Sequence, residues 1–67
     1  MPYSINTVRF TERFVVFNQI ALRISAIESV DKFYDQAWNL QIRMKSGDAY
    51  TFVFQNSVDN YFDRLTS

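Results

Sequence analysis

Two aspartates and five basic residues are the side chains whose spacing could carry chemistry in this sequence. Asp59 and Asp63 stand four residues apart, one helical turn, where paired carboxylates could hold a divalent cation or divide acid and base roles. No third oxygen ligand and no glycine-bearing loop accompanies them, so the pair reads as a solvated helix face. Arg9, Arg13, Arg23, Arg43 and Lys45 could line one sheet face with Tyr or Phe between them, which would suit an anionic nucleotide or a nucleic acid. Nucleophilic catalysis has less to draw on. The chain has no His and no Cys, so only Lys32, Lys45 and the carboxylates could activate a Ser or Thr, and no motif arranges them. Gly47 is the only glycine, so there is no glycine-rich phosphate loop. The sequence reads as non-enzymatic, with no cofactor and no metal.

Composition narrows the classes further. Sixty-seven residues make one domain, 1–67, and a domain of this size buries only about 60 % of its unfolded chain's surface. Disulfides are impossible without Cys, which leaves oligomerisation as a remaining way to stabilise so small a chain. Twelve residues are Phe, Tyr or Trp, against one Gly and one Pro, and this aromatic surplus points to self-association as a homodimer or higher oligomer. Seven basic and seven acidic residues cancel to zero, which disfavours a phosphate polymer as partner. The signs are grouped, however. Residues 1–27 carry Arg9, Arg13 and Arg23 against Glu12, and residues 28–35 carry Glu28, Asp31 and Asp35 against Lys32. No run of 18 apolar residues is present, and the first residues lack a basic region and apolar core, so the expected compartment is the cytoplasm, without membrane contact.

The element with the clearest pattern is a hairpin over residues 38–54. Trp38, Leu40, Ile42 and Met44 alternate with Asn39, Gln41, Arg43 and Lys45, and side chains of a strand point alternately to opposite faces. The second arm places Tyr50, Phe52 and Phe54 on one face. Parity sets the loop. A two-residue turn, Ser46-Gly47, would put these aromatics with Asn39, Gln41 and Arg43. A three-residue loop, Lys45-Ser46-Gly47, pairs Ile42 with Tyr50, Leu40 with Phe52 and Trp38 with Phe54, and gathers the apolar groups on one face. It also puts glycine at the third loop position, where a left-handed backbone is needed.

The rest of the chain supplies what must cover that face. Residues 1–4 read as a frayed lead-in. Ile5–Phe10, Arg13–Phe17 and Ile20–Ile24 read as strands, the second apolar on both faces. In residues 25–37, Ile24, Ile27 and Val30 fit a helical stripe, but Val30, Phe33 and Tyr34 favour a strand. The strand reading has a kink at Ser25-Ala26, a strand over 27–34, and a turn at Asp35-Gln36 that sets Phe33 opposite Trp38. At 56–66 the spacing of Val58, Phe62 and Leu65 predicts a short helix, with Asn56 or Ser57 as cap. Asp59 in its first turn and Arg64 in its last suit the helix dipole. About ten residues would not hold as a helix alone, so it docks, most naturally on the Trp38/Leu40/Ile42/Phe52/Phe54 face. The expected fold is α+β and mostly β: an antiparallel sheet of about five strands with one C-terminal helix packed on a face.

The order Phe17-Asn18, Ile24, Ile27-Glu28, Leu40-x-Ile42-x-Met44-x-x-Gly47, Tyr50-x-Phe52 and a closing helix resembles short bacterial β-meander modules, such as FlbD-like proteins and the second half of bacterial pleckstrin-homology-like domains. The resemblance covers about residues 15–65 and implies strands followed by a helix in a mostly non-enzymatic setting. This chain departs from it in a longer segment before Trp38 and in Ser46 where an asparagine is usual. The stretch 47–54 also shares part of the aromatic strand of an RNA-recognition motif, but Asp48 stands where that motif has an aromatic.

Phe14, Phe17, Tyr34 and Tyr61 exceed what one small core needs and are candidate partner anchors, with Arg13, Arg23 and Arg43 beside them. The leading expectation is a protein-interaction module that blocks or scaffolds a protein partner, or a second copy of itself. The alternatives are a phage-type small inhibitor or sequestering protein that holds a nucleotide or anion through arginines, and an RNA- or DNA-binding domain.

Overall fold

The computed structural model describes residues 2–66. Its elements are β1 (Pro2–Ser4), β2 (Val8–Phe10), β3 (Phe14–Phe17), β4 (Ile20–Arg23), a single 3-10 turn (Ile24–Ala26), β5 (Ile27–Tyr34), β6 (Trp38–Met44), β7 (Ala49–Phe54) and α1 (Asp59–Thr66). The fold is mostly β with one short C-terminal helix. The strands form two sheets, in the orders β1-β7-β6-β5 and β2-β3-β4.

Two stretches of chain belong to both sheets. Residues 2–10 pair with β7 through β1, then bend and pair with β3 through β2. The bend keeps its hydrogen bonds: Ile5 N–H donates to the Val53 carbonyl at 2.9 Å, and Asn18 N–H donates to the Thr7 carbonyl at 2.9 Å. Residues 20–34 do the same through the 3-10 turn, where Ile24 N–H donates to Arg13 and Lys45 N–H donates to Ala26. Five extended segments therefore close into a ring, which is the sense in which about five strands describes the fold. The kink expected at Ser25-Ala26 is this 3-10 turn, and the strand expected over 27–34 is β5.

The hairpin follows from its parity. Trp38 pairs with Phe54, Leu40 with Phe52 and Ile42 with Tyr50. Met44 N–H donates to Asp48 and Gly47 N–H to Met44, and Gly47 sits at φ 101°, a region open to glycine without steric cost. Leu40, Ile42 and Phe52 are completely buried. What buries them differs from the expectation. The three-stranded sheet folds over the hairpin, and Phe17 stacks on Phe52 with ring centroids 4.3 Å apart and meets Phe54 edge-on at 6.1 Å. Val15 and Leu22 complete this inner layer. A strand apolar on both faces can supply an inner layer only if it leaves the plane of the hairpin, and the two bends accomplish that.

The helix packs beside β5, and its Tyr61, Phe62 and Leu65 lie against the shared core. Tyr61 packs between Phe10 of β2, at 6.4 Å, and Phe54 of β7, at 5.4 Å. The Lys32 ammonium lies 4.8 Å from the Phe62 ring, and the Arg64 guanidinium 4.3 Å from the Phe10 ring. Val58, just before the helix, is fully buried, and its carbonyl accepts the first intrahelical bond from Phe62 N–H. Ser57 Oγ accepts from Asp59 N–H at 3.3 Å, the capping role expected of Asn56 or Ser57, while the helix itself begins at Asp59 rather than at 56.

Two further expectations are corrected. Residues 2–4 are not a frayed lead-in but a parallel strand on β7, with Tyr3 opposite Phe52. Trp38 stands opposite Tyr34, not Phe33, because Ala37 joins Asp35 and Gln36 in a three-residue loop and moves the register by one. Gln36 takes φ 64° there. Among the described residues no helix is long and apolar enough to cross a membrane.

Candidate interaction face

The outer face of the three-stranded sheet carries the most distinctive surface chemistry. Val15 and Phe17 of β3 point inward and are wholly buried, so Phe14 and Val16 point out. Phe14, the first residue of β3, lies between Arg23 of β4 and the turn at Thr11 and is 37 % exposed. Strand pairing fixes its neighbours. Arg23 on β4 stands opposite Phe14, and its guanidinium lies 6.0 Å from the ring. Arg9 on β2 and Ala21 on β4 stand opposite Val16. The β2–β3 turn, Glu12-Arg13, is held by a Thr11 side chain that accepts from Phe14 N–H at 3.0 Å. This turn brings Arg13 beside Arg23 in an open groove of about 350 Å³, also lined by Glu12, Ile24 and Ser25.

The face carries three arginines, none of them ion-paired among the described residues. Arg9, Arg13 and Arg23 are exposed and, among the described residues, the only ion pair is Lys32–Asp59. The Arg23 guanidinium beside an exposed phenylalanine, with Arg13 in the adjoining groove, offers bidentate hydrogen bonds, charge and an apolar platform together.

The expected site residues separate into two groups. Phe14, Arg13 and Arg23 come together here. Phe17 does not belong with them, because it is buried in the core against Phe52 and can anchor nothing outside. Tyr61 is committed to Phe10 and Phe54. Tyr34 is 65 % exposed but lies at the β5–β6 loop, edge-on to Trp38 at 5.4 Å. Arg43 is exposed on the outer face of the other sheet, opposite Ser29 and Ala49. The five basic residues therefore do not share one sheet face. Arg9 and Arg23 do, in register positions on either side of β3.

Asp59 is occupied by structure rather than chemistry. Lys32 Nζ donates to Asp59 Oδ1 at 2.6 Å. That hydrogen bond, with the Ser57 contact and the nearby positive charge, holds the Asp59 carboxyl below its usual range. Lys32 lies opposite Leu40, on the core side of the free edge of β5. An inward-directed charge, together with the register shift between Ile27 and Ser29, guards that eight-residue edge against pairing with another strand. Among the described residues no three or more His, Cys, Asp or Glu side chains gather as metal ligands.

Three exposed residues outside the expected set matter. Phe33, 44 % exposed, shares the outer face of β5 with Asp31, and Asp35 follows at the strand end. The alternation Asp31, Phe33, Asp35 is visible in the sequence, but only the register with Asn39 and Gln41 shows which way it faces. A second cleft, of about 130 Å³ between Asn6, Gln55, Asn56 and Tyr61, is smaller than the roughly 300 Å³ at which ligand pockets begin. No protein-family model, curated protein or solved structure matches this chain.

Proposed function

We propose that this chain is a non-enzymatic interaction module that docks an acidic protein segment on the outer face of β2, β3 and β4. The observation that carries the reading is Phe14 left exposed beside Arg23, with Arg13 in the adjoining groove, Arg9 opposite Val16 on the other side of β3, and none of the three arginines ion-paired among the described residues. A solvated outer face gains nothing from an exposed aromatic there. A docking face gains an anchor, and the arginines add orientation and faster association. The test is fluorescence polarisation with short acidic peptides that carry one aromatic residue. Binding is expected to weaken as salt rises and to be lost in the Arg13→Ala/Arg23→Ala double variant. Equal binding by that variant overturns the reading.

A second reading rests on the groove itself. Its volume, about 350 Å³, and its lining by Arg13, Arg23 and Ser25 would suit a nucleotide or small anion, the sequestering role. Thermal-shift screening separates the two. A ligand at 100 times its Kd adds about 2.7 kcal/mol to stability. A shift with nucleotides and none with acidic peptides would favour sequestration.

A further inference from the structure

Two charged surfaces of this chain, neither of them ion-paired among the described residues, match each other. On β5 and its end, Asp31 and Asp35 bracket Phe33, and all three are exposed. At about 3.3 Å per residue the two aspartates stand about 13 Å apart along an extended chain. On the three-stranded sheet, Arg9 and Arg23 bracket β3 diagonally. Arg9 is in register with Val16 and Arg23 with Phe14, two strand spacings apart across the sheet and two residues apart along it. With strands about 4.8 Å apart, that diagonal is about 12 Å.

We propose that the Asp31–Phe33–Asp35 edge of one copy docks on the Arg9–Phe14–Arg23 face of a second copy, joining this protein to itself head to tail. The two aspartates meet the two arginines, and Phe33 lies over Phe14 and Val16 between them. The occupant is fixed by charge complementarity and spacing. None of these charges is ion-paired within the chain among the described residues. The core-directed Lys32 and the adjacent bulge oppose direct edge-to-edge pairing of β5, so the contact is through side chains, not a continued sheet. The two surfaces differ, so the contact is heterologous, and repetition makes a ring or an open filament rather than an isologous dimer. The inference rests on the docking face proposed above and names its partner.

Sedimentation velocity at rising concentration tests it, with three samples. Wild type is expected to associate reversibly, and less as salt is added, since exposed charges are screened over about 10 Å at 0.1 M salt. Arg9→Glu/Arg23→Glu and Asp31→Lys/Asp35→Lys, each alone, are expected to self-associate roughly tenfold more weakly or less, because each opposes like charges. Mixed in equal amounts, the two variants are expected to associate with each other. Circular dichroism confirms that each variant is folded, and Arg→Gln and Asp→Asn versions replace any that is not. A monomeric wild type at millimolar concentration overturns the inference, as does a mixture that fails to associate or single variants that associate like wild type. A monomer that still binds acidic aromatic peptides through Arg13 and Arg23 overturns self-docking alone and leaves the docking face in place.

Discussion

The two sheets share one core, yet β6 and β3 use their side chains differently. β6 alternates strictly in residue type: apolar Leu40, Ile42 and Met44 are buried, and the outer face carries only polar side chains, Asn39 buried, Gln41 half-buried and Arg43 exposed. β3 is apolar on both faces, Phe14-Val15-Val16-Phe17, and its two phenylalanines have opposite fates. Phe17 is wholly buried on Phe52, and Phe14 is exposed beside Arg23. Strict alternation of residue type gives β6 an outer face with no apolar side chain. The outer face of β3 is apolar instead, and this difference directs attention to the three-stranded sheet.

The largest expected effect tests the inner side of that contrast. Phe17→Ala removes the ring that covers Phe52 and Phe54 and should cost about 3–5 kcal/mol, enough to unfold most of a chain this small in urea titration. A loss under about 1 kcal/mol would mean that the two sheets do not pack through Phe17. Asn18 comes next, because it ties the sheets together. At φ 56°, its Oδ1 accepts from Asn6 and Thr7 N–H, and its Nδ2 donates to the Ser4 carbonyl. Asn18→Ala should cost about 1–3 kcal/mol, and Asn18→Gly, which keeps the backbone freedom, isolates the hydrogen-bond part.

Gly47→Ala sharpens the hairpin side. A Cβ there would meet nothing within 4 Å, so only backbone strain at φ 101° remains, about 1–2 kcal/mol in chemical denaturation. The pH response is smaller and concerns the helix. Asp59 has a lowered folded pKa, mainly through the Lys32 hydrogen bond, so its stabilising contribution is present above the ordinary carboxylate pKa, 3.8, and is lost as pH falls through the folded value. Thermal melts should show this acid loss in wild type and a flatter profile in Lys32→Met. The smallest stability effect belongs to Phe14→Ala, about 1 kcal/mol or less, combined with loss of peptide docking.

Much of this fold is legible in local pattern. The hairpin loop, its cross-strand pairs, the kink before β5 and the closing helix all follow from alternation, one glycine and helical spacing. Contacts between residues distant in sequence are not. Nothing local announces that residues 2–4 run parallel to 51–53, or that Asn18 reaches back to Ser4. The fate of Phe17 depended on the same missing information, because a strand apolar on both sides does not say which side is inner. Of the site, Phe14, Arg13 and Arg23 were readable by residue type, and their adjacency came from the β3–β4 register. Phe33 and its flanking aspartates were hidden by a one-residue register difference at Ala37.

The most direct measurement is an amide chemical-shift titration of the labelled chain with an acidic aromatic peptide. Shifts are expected to concentrate at Arg9, Arg13, Phe14, Val16 and Arg23, with the outer face of β6 and β7 unmoved. Shifts centred on Gln41, Arg43, Thr51 and Val53, with Phe14 and Arg23 silent, would contradict docking on the three-stranded sheet.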